Sequence, residues 1–148
     1  MAKAWPVSRM CGGSGRNVCF MQESGENYLE TIYLLKDEKQ HVRSIDVANK
    51  LGFSKPSISR AMGILKENGF IDIDQNGWIE FTDKGLMAAE SIYERHRLIT
   101  AFLMDTLDLD FETADHDACR IEHIISQKTI DKIKAMEENK KNLEKTSN

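Results

Sequence analysis

The sequence predicts a mainly α-helical chain, a winged helix-turn-helix followed by a second, helical unit. Three observations carry this. Only two prolines occur in 148 residues, and Glu, Lys, Ile and Leu are abundant, which favours helix. Two short helical patterns flank the tripeptide Gly52-Phe53-Ser54. Two alternating runs, 70–74 and 78–82, meet through Gln75-Asn76-Gly77, a strong hairpin signal.

Taken in order, the first helix is expected from Ser24 to Asp37, with Tyr28, Leu29, Ile32, Tyr33 and Leu35 at helical spacing. Ser44 reads as the N-cap of a helix over Ile45–Leu51, with Asp46 in its first turn and Gly52 ending it. Ser54 offers a second N-cap, and Pro56 fits only a first turn. Ile58, Met62 and Leu65 then fall at i, i+4 and i+7, and Gly69 should close that helix. After the hairpin, Thr82 caps a long helix to about Thr106. Asp110 or Thr113 starts another, to about Ser126, and a last amphipathic helix begins near Gln127.

Composition is ordinary for a soluble globular protein, at 41% hydrophobic and 30% charged, which excludes collagen-like and wholly disordered chains. No run approaches the roughly 18 apolar residues of a membrane span. Lys3 and Arg9 enclose no apolar core, so no secretory signal is expected. Cys11, Cys19 and Cys119 follow no pattern, which argues for a reducing, cytoplasmic setting. Residues 1–20, with Gly12-Gly13-Ser14-Gly15, read either as a disordered tail or as an upstream start, Met21 being the true one. No function is assigned to them.

Net charge is −4, but it is unevenly spread. Between Arg43 and Lys66 five basic residues stand against one acid, Asp46. Between Asp105 and Asp117 six acids stand against no Lys or Arg. Charge alone would make the basic stretch a solvated face. Combined with the caps, the turn and the hairpin, it reads as an electrostatic footprint for double-stranded DNA. The second helix would present Ser54, Lys55, Pro56, Ser57, Ser59 and Arg60 at its N-terminus. Short hydroxyls and long cations there suit phosphates and base edges. Asp72, Asp74, Gln75 and Asn76 would form an acidic wing, poorly suited to phosphate.

Cys119, Glu122 and His123 lie at i, i+3 and i+4, one face of a helix. Thiolate, carboxylate and imidazole together are first-row transition-metal ligands. Asp115 and His116 sit one turn earlier, His96 lies on the preceding long helix, and Asn27 and Glu30 lie on the first helix. A lone helical His or Cys is more often a packing residue, so spacing alone leaves both readings open.

The ordered segments "NYLETIYLL", "VANKLGFSKPSISRAMGILKENGFI", "FTDKG", "ERHRL" and "DACRIEHIIS" resemble the metal-dependent repressors of the diphtheria toxin repressor family, over about residues 22–140. The resemblance implies a homodimer. Residues 21–82 would form a winged-helix DNA-binding domain, and 83–148 a helical metal-binding and dimerisation domain. It implies that Glu122 and His123 match ligands of both the iron and the manganese branches, and that His96 matches a second-site ligand. Cys119 matches the iron branch and Glu30 the manganese branch. Asn27 stands where one branch has Met and the other Asp. Thr100 replaces a Glu expected one turn after His96. Asp115 and His116 are the two residues open to replace a His expected nearby. The chain ends before the SH3-like third domain of longer iron-type members. The resemblance implies one well-formed site, with a second left open.

The resulting expectation is a repressor, not an enzyme, loaded with Fe²⁺ or Mn²⁺, with Zn²⁺, Co²⁺ or Ni²⁺ able to substitute in vitro. The cation would draw the first helix onto the helical domain and set the spacing of two DNA-reading heads. Two alternatives are a winged-helix regulator of a non-metal signal and a regulator that responds to Cys119 oxidation. The second needs a resolving partner, for which only Cys11 and Cys19 are available. No HExxH and no nucleophile elbow supports catalysis.

Overall fold

A computed structural model of the chain describes residues 23–146. The tail 1–20, its Cys11 and Cys19, and Met21 lie outside the described residues. The chain divides into two compact units, the first ending at Glu90 and the second starting at Ser91. Among the described residues no helix is long and apolar enough to cross a membrane.

The first unit holds α1 (Glu23–Glu38), α2 (Ser44–Leu51), α3 (Lys55–Glu67), β1 (Ile71–Ile73), β2 (Ile79–Phe81) and the first turns of α4 (Asp83–Leu107). Leu29, Ile32 and Leu35 form the buried stripe of α1; Val47, Ala48 and Leu51 that of α2; Ile58, Met62 and Leu65 that of α3. These spacings are the sequence periodicities realised. Gly52 ends α2 in the left-handed region at φ 70°, where its lack of a Cβ removes the steric cost. Ser54 caps α3: its Oγ accepts from the Ser57 N–H at 3.4 Å, with Pro56 in the first turn.

One cap differs from expectation. Ser44 is the first residue of α2, not its N-cap. Arg43 takes that place, held extended by a bridge to Trp78, while Val42 C=O accepts from Ile79 N–H at 2.8 Å. The 42–43 segment therefore lies along β2 as a third edge of the wing. The Arg43 N–H donates to Asp46 Oδ2 at 2.9 Å, so the acid three residues on supplies the cap. Lys39 beside it, at 2.6 Å, holds the Asp46 carboxyl below its ordinary range.

β1 and β2 pair antiparallel, with Ile71 opposite Phe81 and Ile73 opposite Ile79. The loop Gln75-Asn76-Gly77 closes as a turn plus a left-handed glycine, φ 78° at Gly77. Asp74 ties it, accepting from the Asn76 and Trp78 N–H groups at 2.8 and 2.9 Å. Thr82 caps α4 as expected, its Oγ1 accepting from Gly85 N–H at 3.0 Å. Gly85 admits no side chain: a Cβ there would stand 1.7 Å from the Phe70 carbonyl oxygen.

The second unit holds the rest of α4, α5 (Phe111–Ile121) and α6 (Gln127–Thr146). Its core gathers Ile99, Leu103, Ala114, Ala118 and Ile130. The two alanines, one turn apart and fully buried, let α5 pack closely on Ile99 and Leu103. Asp110 caps α5, accepting from the Thr113 N–H at 3.0 Å. α5 ends five residues before the expected Ser126. Ile124 and Ile125 N–H both turn back to the Ile121 carbonyl, and Ser126 is committed to capping α6 through the Thr129 N–H.

Candidate metal centre and nucleic-acid interface

In the first unit, α2, Gly52-Phe53-Ser54 and α3 make a helix-turn-helix. Ile58, Met62 and Leu65 face its core, and Ser54, Lys55, Pro56, Ser57, Ser59 and Arg60 are all exposed. Ser54 Oγ donates to Ser57 Oγ at 2.8 Å as well as capping the helix, so these two hydroxyls organise the N-terminus. Neighbouring lysines are neutralised: Lys50 by Glu38 at 3.0 Å and Lys66 by Asp72 at 3.6 Å. Among the described residues Lys55 and Arg60 stand in no ion pair. Two unneutralised cations thus flank a helix N-terminus whose dipole also favours anions. The acids of the wing are partly occupied, Asp72 by Lys66 and Asp74 by the loop amides. His41 stacks on Trp78 at 3.7 Å between ring centroids, an imidazole at the wing that sequence reasoning did not place there.

In the second unit the chemistry centres on His96 of α4, which is 7% exposed. Its Nδ1 lies 3.0 Å from Glu122 Oε2, and its Nε2 lies 2.9 Å from Asp115 Oδ1. Cys119 Sγ stands 3.6 Å from Nδ1. Glu122 is fully buried, with Oε1 3.2 Å from His123 Nε2. Glu122 follows the last residue of α5 but keeps helical dihedrals (φ −56°, ψ −29°), so it remains one turn from Cys119. His123 lies beyond α5, and it reaches the cluster through Glu122.

Burial pulls the His96 imidazole down, but hydrogen bonds to Cys119, Glu122 and Asp115 outweigh it, and its pKa is pushed up to about 12. Burial alone would raise Glu122; the imidazoles of His123 and His96 overcome that and hold it below the ordinary carboxylate range. Without a metal, the imidazolium of His96 is the cation that balances these acids.

The donors suit a transition metal. His96, Asp115 and Cys119 offer nitrogen, oxygen and sulfur atoms within 4.8 Å of one another. Donor atoms spaced on this scale could draw in around one ion with bonds of about 2.0–2.3 Å.

Of the expected ligands, His96, Cys119 and Glu122 gather around one imidazole, with His123 next to them. Asn27 and Glu30 lie on α1, each 6% exposed. Of the two residues left open, Asp115 enters the cluster. His116 is exposed and pairs with Asp117 at 3.6 Å. Thr100 is buried and bonds the His96 carbonyl at 2.9 Å, a bond within its own helix. The signal for Asp115 was its place four residues before Cys119.

Two domain families match the chain. The N-terminal DNA-binding domain of iron-dependent repressors matches residues 21–77, and their metal-binding and dimerisation domain matches 82–142. An HTH-type transcriptional regulator of Methanocaldococcus jannaschii is 30% identical over 77% of this chain and 92% of its own. The iron-dependent repressor IdeR of Mycobacterium leprae is 31% identical over 71% of this chain and 46% of its own. The structure of the manganese regulator SloR is 28% identical, with a TM-score of 0.67, over 76% of this chain and 52% of that one. The chain thus spans nearly all of the archaeal relative but only about half the length of the iron and manganese regulators. It belongs to the family of iron- and manganese-dependent transcriptional repressors.

Proposed function

We propose that this protein represses transcription in response to metal, binding double-stranded operator DNA as a homodimer when loaded with Fe²⁺ or Mn²⁺, and so controls metal homeostasis. It works in the cytoplasm as a regulator, not an enzyme. The observation that carries this reading is the gathering of nitrogen, oxygen and sulfur donors around His96, within the stretch matched by a metal-binding domain. We assign residues 21–82 to DNA recognition and 83–148 to metal binding and dimerisation. Residues 1–20 receive no role.

On the DNA side, Lys55 and Arg60 neutralise phosphates or reach base edges, and Ser59 offers a short hydroxyl beside them. Ser54 and Ser57, with Pro56 in the first turn, hold the α3 N-terminus so that its free N–H groups can meet a phosphate. On the metal side, His96, Cys119, Glu122 and His123 are the ligand candidates, and Asn27 and Glu30 join them on the resemblance. A divalent ion bound there supplies positive charge among acids that otherwise repel one another. Glu122 orients the imidazoles on either side of it, and the buried Ala114 and Ala118 fix the face of α5 that carries Cys119. The ion acts as a switch only if it binds the DNA-competent state more tightly. The thiolate favours Fe²⁺, Co²⁺, Ni²⁺ or Zn²⁺, while Glu30 and Asn27 favour harder ions, which puts Fe²⁺ first and Mn²⁺ second.

Glu122→Ala and His123→Ala test the assignment. Both should abolish metal-dependent operator binding in a gel shift. A variant that still bound its operator only with metal would overturn it.

A further inference from the structure

We propose that Ile64 of α3 reads sequence: its side chain packs against the 5-methyl group of a thymine in the major groove. This rests on the DNA-binding reading above, but not on control by metal. Ile64 is 52% exposed, whereas Ile58, Met62 and Leu65 of the same helix are buried. Among the described residues of α2 and α3 no other large apolar side chain is left so open. Helical phase gives its direction. At about 100° per residue, Arg60 points about 15° from the direction opposite the buried stripe, and Ile64 about 50° from it. Ser57, Arg60 and Ile64, at i, i+3 and i+7, thus form one outward row. The row continues the helix N-terminus organised by the Ser54 and Ser57 hydroxyls.

The neighbouring residue clears the way. Gly63 has no side chain, and the space its Cβ would take is open, so a duplex can approach the helix closely at this turn. Ile64 lies about 6 Å along the helix from Arg60, about two base-pair steps. Chemistry then fixes the partner. Ile64 carries no charge, so it adds nothing to the attraction of phosphates, and it offers base edges no hydrogen bond. The C5-methyl of thymine is the apolar group that the major groove displays. Removing one methyl group from water is worth about a fourfold change in affinity. The contribution of Ile64 therefore appears only where a thymine faces it.

The test uses the full chain with Mn²⁺ and a DNA fragment from its own upstream region, narrowed by footprinting. Each thymine is replaced in turn by deoxyuridine, which lacks only the 5-methyl group, and affinity is read by fluorescence anisotropy. In the wild type one replacement per half-site should weaken binding about fourfold. Ile64→Ala should bind the unmodified fragment more weakly and lose that penalty, holding both probes alike. Ile64→Val, still apolar and β-branched, should keep it. Wild type and Ile64→Ala should hold non-operator DNA equally. Alanine is the better helix former, so Ile64→Ala should melt at or above the wild-type midpoint, which separates lost reading from lost folding. A wild type indifferent to every replacement, or a penalty that survives in Ile64→Ala, would overturn the inference. So would an Ile64→Ala protein whose oligomeric state changes in the absence of DNA, because a second copy of the chain would then be what covers Ile64. Binding that needs no metal would remove the metal switch and leave this test standing. A wild type that ignores its upstream DNA with and without metal would end both.

Discussion

Replacing Glu122 by Gln isolates the charge at the centre of the cluster. The substitution is isosteric, so it opens no cavity; it removes a buried anion that faces His96 at 3.0 Å and His123 at 3.2 Å. Breaking a buried pair by removing one partner costs about 3–5 kcal/mol. With a urea m-value of about 1–3 kcal/mol/M for a chain of this size, the metal-free midpoint should fall by about 1–5 M. The pH dependence follows from the two shifts. Glu122 is held below its ordinary 4.5, so its contribution is complete above that value and is lost as pH falls below it. His96 is raised from 6.5 to about 12, so its contribution is complete below 6.5 and declines as pH climbs toward 12. The decline cannot exceed about 1.4 kcal/mol per pH unit for one proton. The gap between wild type and Glu122→Gln should therefore be widest between about pH 4.5 and 6.5 and narrow on either side. Urea melts of the metal-free full chain, followed by circular dichroism from pH 4 to pH 9, measure it. Equal midpoints at pH 5.5, or a gap that widens above pH 7, would refute the electrostatic reasoning.

Other consequences are as direct. Lys55→Ala and Arg60→Ala should each weaken operator binding and lower the slope of log K against log salt by about 0.9 for every phosphate contact removed. Metal affinity should stay at the wild-type value, and an equal loss of metal binding would contradict the separation of roles. Gly85→Ala should destabilise the first unit. The methyl would meet the Phe70 carbonyl at 1.7 Å, and overpacking of about 1–3 kcal/mol or more outweighs the roughly 1 kcal/mol of helix propensity gained. A thermal melt at or above the wild-type midpoint would show that the α4 start and the wing can part without cost.

The parts of the fold governed by local chemistry were readable. Gly52, Ser54, Thr82 and Asp110 end or cap helices as their side chains dictate, and the Asn-Gly signal marks the wing. Non-local pairing was not readable. Nothing around Arg43 announces that residues 42–43 lie along β2, and that pairing moved the N-cap from Ser44 to Arg43. The end of α5 was hidden because no Gly or Pro marks it; Ser126 was better used as the start of α6 than as the end of α5. At the cluster, ligand type and helical spacing pointed to Cys119 and Glu122, and the resemblance pointed to His96; that these side chains come together is seen only in the structure. Choosing Asp115 over His116 required the rotational phase of α5, which the buried Ala114 and Ala118 set and a run of polar residues conceals.

The central claim is that metal controls DNA binding, and it is tested most directly on the metal-free full chain with a DNA probe from its own upstream region. Fluorescence anisotropy would be recorded without metal and then with Fe²⁺ (anaerobically), Mn²⁺ or Zn²⁺ added separately. Binding should appear only when metal is present, with Fe²⁺ at least as effective as Mn²⁺. Equal binding with and without metal would leave a winged-helix protein whose His96 cluster is not its switch.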